Sequence, residues 1–135
     1  MSVRSRLASL ALLAAVALPL AVGCQFLVFK ICVKNDTAYF LDEFAVKSAG
    51  EPTYPPASMS EVAPGGNDVV GGIQAGSYDV RATFDVADDE NVCESILELT
   101  DIEIENTNLC ITYDEENSAK GEDCIEIYAT LDYVL

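Results

Sequence analysis

Apolar and polar residues alternate with a period of two through most of the chain after position 24. Such alternation is typical of half-buried β-strands. The clearest case is residues 77–84 (SYDVRATF), and residues 101–106 (DIEIEN) repeat it with isoleucines on one face and glutamates on the other. No stretch carries a helical stripe of apolar residues. The pattern therefore predicts an all-β domain.

Turn residues divide this pattern into about seven strands. Asn35-Asp36 ends the first strand, and Ala75-Gly76-Ser77 precedes the strand of Tyr78. Residues 92–106 are too long for one regular strand, and their phase slips around Thr100-Asp101, which predicts two strands or one bulged strand. Seven strands separated by turns at intervals of roughly 8 to 15 residues predict a single antiparallel β-sandwich over residues 24–135. The predicted strands cover about 26–34, 39–47, 69–73, 78–84, 92–106, 107–114 and 123–135.

A proline-rich segment at residues 48–67 interrupts the alternation. It holds four of the five prolines of the chain. A loop of this length is uncommon in a small domain unless it has a role. We expect either a recognition loop or a crossover between the two sheets that contains a short edge strand near residues 59–63.

The first 23 residues differ from the rest and form a signal peptide pattern. Arg4 and Arg6 precede an apolar run rich in alanine and leucine, and no acidic residue occurs before Asp36. A basic start, an apolar run and small residues before a cleavage point are the three parts of an export signal. We therefore predict a signal peptide over residues 1–23 and an exported domain over residues 24–135.

The end of this segment, Ala21-Val22-Gly23-Cys24, resembles the lipobox of bacterial lipoproteins. The resemblance implies that Cys24 is acylated, that cleavage occurs just before it, and that the protein is held in the cell envelope by a lipid anchor. Leucine is the usual residue at the position of Ala21.

Two other fates of the N-terminus stay open. Ordinary cleavage would release the domain, and an uncleaved segment at residues 7–29 is long enough to span a bilayer, for which about 20 apolar residues suffice. Gln25 follows the lipobox cysteine where aspartate favours inner-membrane retention in many lipoproteins. The lipoprotein resemblance thus indicates the outer membrane if the host has one.

Charge and composition exclude several classes of function. The chain of 135 residues has 7 basic and 23 acidic residues, a formal charge of −16, and neither histidine nor tryptophan. Loss of residues 1–23 would leave five basic residues against 23 acids, a charge of −18. This field repels phosphate backbones, so we expect no nucleic-acid binding. Without histidine, and without a nucleophile or phosphate-loop motif, we also expect no enzyme activity.

The cysteine count is compatible with a lipid anchor and two disulfides. Five cysteines are an odd number, and acylation of Cys24 would leave an even set. Disulfides persist in exported proteins, and the spacings do not fit a zinc site. The remaining four are Cys32, Cys93, Cys110 and Cys124.

The alternation in the last two strands favours one disulfide pairing. Cys110 and Cys124 both fall opposite the apolar face of their strands. A hairpin centred on Asn117 would place them directly across from each other, at the separation a disulfide needs. This interpretation pairs Cys110 with Cys124 and leaves Cys32 for Cys93.

Two acidic clusters, within residues 85–91 and 114–123, lie in or beside predicted loops. Calcium prefers six to eight oxygen ligands, although neither cluster has the EF-hand order. They are either solvated hairpin tips or calcium sites, and a melting temperature that differs between calcium and a chelator would distinguish these. The candidate calcium ligands are Asp85, Asp88, Asp89, Glu90, Asp114 and Glu116.

Residues 62–84 contain a Gly76-Ser77-Tyr78 element, which resembles the Gly-x-Tyr hairpin of prealbumin-like and collagen-adhesin B-type β-sandwich domains. The resemblance implies a binding, stalk or scaffold module. We accordingly expect a binding or structural role in the cell envelope, with calcium-dependent adhesion or sensing as the alternative. The expected partners are a membrane, through the N-terminal lipid, and an envelope protein or glycan. Tyrosines that could stack on a sugar are Tyr39, Tyr54 and Tyr128.

Overall fold

The structure is a computed structural model that describes residues 27–86, 91–117 and 124–134. The predicted signal peptide, Cys24 and three candidate calcium ligands lie outside these residues. Those three ligands are Asp88, Asp89 and Glu90.

Seven strands form two sheets, which confirms the predicted all-β sandwich. Sheet A has the order β3-β1-β6-β7 and sheet B the order β2-β4-β5. Neighbouring strands are antiparallel except β1 and β6, which are parallel. In chain order the strands are β1 (Phe29–Asn35), β2 (Phe40–Ser48), β3 (Asn67–Ile73), β4 (Gly76–Asp85), β5 (Ile96–Ile104), β6 (Asn108–Asn117) and β7 (Ile125–Val134).

The core lies between the inner faces of the two sheets, as the alternation predicted. Phe84 of sheet B meets Tyr113 of sheet A edge to face, with ring centroids 5.3 Å apart. Burying a side chain of this kind contributes about 1.5–3 kcal/mol. The largest fully buried apolar side chains are Tyr113, Phe44, Ile31, Leu41, Ile104, Leu109, Ile111, Val33 and Val80.

The predicted irregularity at Thr100-Asp101 is a bulge within one strand. Tyr78 pairs with Ile102 and Val80 pairs with Leu99, so one residue of β4 faces two residues of β5. Asp101 adopts a positive φ of 55°, and its N–H donates a hydrogen bond of 3.0 Å to Asp79 Oδ1. The side chain of Asp79 thereby accepts a hydrogen bond from the backbone amide that the bulge leaves without a partner in the neighbouring strand.

The segment between β2 and β3 is a crossover from sheet B to sheet A. It runs back along β2 and makes isolated bridges between Phe44 and Met59 and between Leu41 and Val62. Both N–H groups of the Leu41–Val62 pair donate to the other residue's carbonyl at 2.9 Å. The crossover interpretation of this loop is confirmed, and its pairing falls where a short edge strand was expected.

Tyr54 holds this crossover against the outer face of sheet B. The Arg81 guanidinium lies 4.5 Å and the Lys47 ammonium 4.9 Å from the centre of the Tyr54 ring. The Tyr54 hydroxyl donates to Glu98 Oε2 at 2.7 Å, and Lys47 also pairs with Asp79 at 3.3 Å. Burial and this hydrogen bond raise the pKa of Tyr54. The ring therefore serves as a structural anchor for the loop.

The predicted register of the C-terminal hairpin is wrong. Asn117 pairs with Ile125 and Cys110 pairs with Asp132, so the hairpin is centred four residues after Asn117. If the centre of a hairpin moves by a whole number of residues, the β7 residue opposite each β6 residue changes by an even number of positions. Every side chain then stays on the same face of the sheet. The apolar alternation therefore predicted the faces of β6 and β7 but carried no information about which of these registers is used.

The predicted disulfide pairing is wrong for the same reason. Cys124 precedes β7 and is joined to Cys93, with Cα atoms 5.2 Å apart. Cys32 and Cys110 are free thiols that face each other across the parallel β1–β6 pair.

The strand directions define two ends of the sandwich. The disulfide end carries the Cys93–Cys124 bond and the start of β7, and the β1 end carries Phe29 and the last residues of β7. β1 and β6 run from the β1 end toward the disulfide end, since Ile31 pairs with Leu109 and Asn35 with Tyr113. At about 3.3 Å per residue, a ten-residue strand separates the two ends by roughly 30 Å.

Candidate functional site

At the disulfide end, a few backbone contacts join the two sheets. Val92 forms a parallel bridge with Ile125, the Cys93 N–H donates to the Ile125 carbonyl at 2.9 Å, and the Ile125 N–H donates to the Asn91 carbonyl at 2.5 Å. Together with the Cys93–Cys124 bond, these contacts attach the β4–β5 connection to the start of β7. The flanks of the two acidic segments therefore meet at one end of the molecule.

The described candidate calcium ligands lie on two different faces at this end. Asp114 and Glu116 sit on the outer face of sheet A, where they pair in register with Tyr128 and Glu126. Asp85 ends β4 in sheet B and pairs with Phe40. Among the residues that the structure describes, no three acidic or cysteine side chains are grouped closely enough to hold a metal ion.

The outer face of the β6–β7 hairpin carries concentrated negative charge. The charge of Asp114 raises the pKa of Tyr128, with smaller effects from burial and from Glu116. Asp114 Oδ1 also accepts a hydrogen bond of 2.8 Å from the Glu115 N–H.

Tyr128 is the most exposed of the three tyrosines considered for sugar stacking, since Tyr39 is partly buried against the core.

A second carboxylate cluster, which no pattern in the sequence predicts, lies on sheet B. Glu61 lies beside Asp42, and its protonated carboxyl can donate a hydrogen bond to the Asp42 carboxylate. This contact, with smaller effects of desolvation and of the charges of Asp42 and Asp85, raises the pKa of Glu61. Asp42 is on β2 and Glu61 is in the crossover, so their approach depends on the Leu41–Val62 bridge. No local pattern signals this meeting.

An open cleft of about 320 Å³ lies between β2 and β3, the edge strands on one side of the two sheets. Val46, Val70 and Ile73 supply apolar walls, while Ser58 and Tyr78 supply polar atoms. Its lining is about as polar as it is apolar and it is open to solvent, so it is a surface groove and not an enclosed pocket. It was not predicted, because it depends on how the edges of the two sheets align.

The β1 end exposes apolar side chains. Leu27 and Val28, just before β1, are 66% and 56% exposed, and Tyr133 and Val134 at the end of β7 are 53% and 44% exposed. These two segments are brought to the same end because β6 pairs with both β1 and β7. These four side chains form an apolar rim, which includes the first described residues of the chain, Leu27 and Val28.

The part of the chain that the structure describes contains no helix with the length and hydropathy to cross a membrane.

Comparisons with known proteins give little to add to this geometry. No protein-family model matches the chain, and no curated protein matches it. Among solved structures, an NMR structure of a protein from Eubacterium rectale aligns over 75% of this chain and 86% of its own, at 15% identity and a TM-score of 0.40. This degree of similarity supports no inference about function.

Proposed function

We propose that this protein is an exported envelope protein, anchored by a lipid on Cys24, that acts as a non-catalytic binding or structural module. The observation that carries the proposal is the placement of β1. The strand that follows the lipobox begins at the apolar β1 end, roughly 30 Å from the disulfide end. An anchor at Cys24 would thus hold the apolar rim near the bilayer and direct the disulfide end away from it.

The surface charge favours some partners over others. Only five basic residues follow position 23, and two of them, Lys47 and Arg81, are engaged around Tyr54. Anionic polymers such as nucleic acids are therefore unsuitable ligands. The cleft between β2 and β3 and the exposed Tyr128 are the surfaces best suited to an envelope protein or glycan.

The anchor is tested by Cys24→Ala. We expect the protein to move from the membrane fraction to the soluble fraction, or to accumulate as uncleaved precursor, because no acyl chain can be attached. Intact mass spectrometry of the wild-type protein should show acyl chains on Cys24. A wild-type protein without acyl chains would refute the proposal.

The orientation is tested with single tryptophans, since the chain has none. In vesicles carrying lipids with nitroxide headgroups, Tyr133→Trp at the β1 end should be strongly quenched. Phe40→Trp, an exposed position at the disulfide end, is the matched control and should be little quenched. Equal quenching of the two variants would contradict the proposed orientation.

A further inference from the structure

Cys32 and Cys110 lie side by side on the outer face of sheet A. The parallel register of β1 and β6 pairs them directly, and the same row continues to Val69 on β3 and Asp132 on β7. Both cysteines are partly exposed, and their neighbours Val69 and Asp132 are exposed. An external thiol reagent can therefore reach the pair without unfolding the sheet.

The geometry suits a covalent bond between these two side chains. Directly paired residues on neighbouring strands are about 5 Å apart and project from the same face, within the Cα separation of about 4.4–6.8 Å seen in disulfides. The Cys32 thiol hydrogen-bonds to Cys110, and burial together with this contact raises the pKa of Cys32 to about 11. The two sulfurs are therefore already in contact before any covalent bond forms.

The other cysteines of the described residues do not compete for this pair. Cys93 and Cys124 are already bonded to each other at the disulfide end. Cys32 and Cys110 instead lie within the outer face of sheet A, held in register by β1 and β6.

We propose that Cys32 and Cys110 form a second disulfide, which links the first strand of the chain to the sixth. The thiolate of one of the two cysteines attacks an exchange-active disulfide, which releases one thiol and leaves a mixed disulfide on that cysteine. The other cysteine then displaces the second thiol and forms the Cys32–Cys110 bond. The two cysteines lose two protons and two electrons, and the external disulfide is reduced to two thiols. In the cell the oxidant is a protein disulfide of the exporting compartment, a step that rests on the proposed export of the domain.

The test uses the purified mature protein, residues 24–135, and glutathione disulfide as the oxidant. The protein is reduced, incubated with glutathione disulfide, alkylated and digested under non-reducing conditions. Mass spectrometry should find one peptide pair joined through Cys32 and Cys110 and another joined through Cys93 and Cys124. Two alkylated thiols at Cys32 and Cys110, or a link from Cys32 to Cys93, would overturn the proposal.

Two variants test whether this bond forms independently of the other disulfide and through a mixed disulfide. The Cys93→Ser/Cys124→Ser variant should still form the Cys32–Cys110 link, because the register of β1 and β6 does not depend on the other bond. Cys32→Ser should stop at the mixed disulfide and retain glutathione on Cys110, whereas absence of that adduct would refute the proposed exchange step at this face of sheet A. Because the oxidation is carried out in vitro, failure of membrane anchoring would leave these results unchanged.

Discussion

The Asn35 side chain is fully buried and forms hydrogen bonds with every polar atom of its amide group. Asn35 Nδ2 donates to the Tyr39 carbonyl at 2.7 Å and to the Val62 carbonyl at 3.0 Å. Asn35 Oδ1 accepts from the Thr37 N–H at 3.1 Å and from the Thr37 hydroxyl at 2.6 Å. This amide closes the β1–β2 turn and fastens the crossover to it. Although Asn35-Asp36-Thr37 has the form of a glycosylation sequon, the folded protein offers no accessible Asn35 nitrogen.

Asn35→Asp should strongly destabilise the domain. A carboxylate cannot donate to the carbonyls of Tyr39 and Val62, and each buried polar group left without a partner costs about 1–3 kcal/mol. We expect a loss of about 3 kcal/mol or more in the free energy of unfolding, measured by urea denaturation. Asn106→Asp is the matched control at an exposed turn and should change stability by less than about 0.5 kcal/mol. Equal unfolding midpoints for the two variants would contradict this role of Asn35.

Glu61→Gln should stabilise the domain at neutral pH. The pKa of Glu61 is raised in the folded state, which means that folding favours the protonated carboxyl. Glu61 therefore contributes to the stability of the domain at acid pH, and this contribution is lost as the pH rises through the folded-state pKa. Glutamine removes the repulsion by Asp42 and Asp85 and still offers a donor to Asp42. The melting temperature should therefore rise at pH 7, with little gain at a pH below 4.

The matched control for this substitution is Glu51→Gln, at an exposed glutamate of the same crossover. It should leave the pH dependence of the melting temperature unchanged. A gain in Glu61→Gln that is equally large in acid would show that repulsion among these carboxylates is not its cause.

Among the elements, the β6–β7 hairpin shows what the apolar pattern contains and what it lacks. The pattern predicted that Leu109, Ile111 and Tyr113 face inward, and all three are fully buried. The predicted centre of the hairpin was wrong because two registers whose partners differ by an even number of positions place the same residues on the same face. Neither the apolar alternation nor burial distinguishes such registers. The bulge at Thr100-Asp101 was predictable, since a bulge changes the phase of the alternation itself.

The Cys93–Cys124 bond should contribute substantially to stability. It closes a loop with a sequence separation of 31, for which the chain-entropy model gives about 4 kcal/mol. To isolate this bond, Cys32→Ala/Cys110→Ala is compared with the same protein carrying Cys93→Ala and Cys124→Ala as well. Urea denaturation should show a loss of about 2–5 kcal/mol in the second protein.

Added salt should restore part of the stability that is lost when the Cys93–Cys124 bond is removed. Without the bond, repulsion between the two acidic flanks at the disulfide end separates them more readily, and salt screens this repulsion. Hydrogen exchange should accelerate at the backbone amides of positions 93 and 125, which join the two sheets in the wild-type protein. An unchanged unfolding midpoint would show that the backbone bridge at Val92 suffices to hold this end.

For the whole molecule, the fold class was predictable and the arrangement of the candidate site was not. Each acidic segment and the alternating strands are local features of the sequence, and they were found separately. The meeting of the flanks of the acidic segments at the disulfide end requires the β4–β5 connection to reach across to β7, in the other sheet. The parallel pairing of β1 with β6 is likewise a tertiary outcome, because no short-range signal connects strands so far apart in the chain.

The position of β1 within sheet A also determines when the domain can fold. β1 is made first, yet it lies between β3 and β6, and its partner Leu109 follows Ile31 by 78 positions. At a synthesis rate of about 5–20 residues per second, β1 waits several seconds before β6 exists. Contacts over such separations also slow folding itself. Sheet A is therefore assembled only after β6 has been made, and until then the apolar face of β1 is available to chaperones.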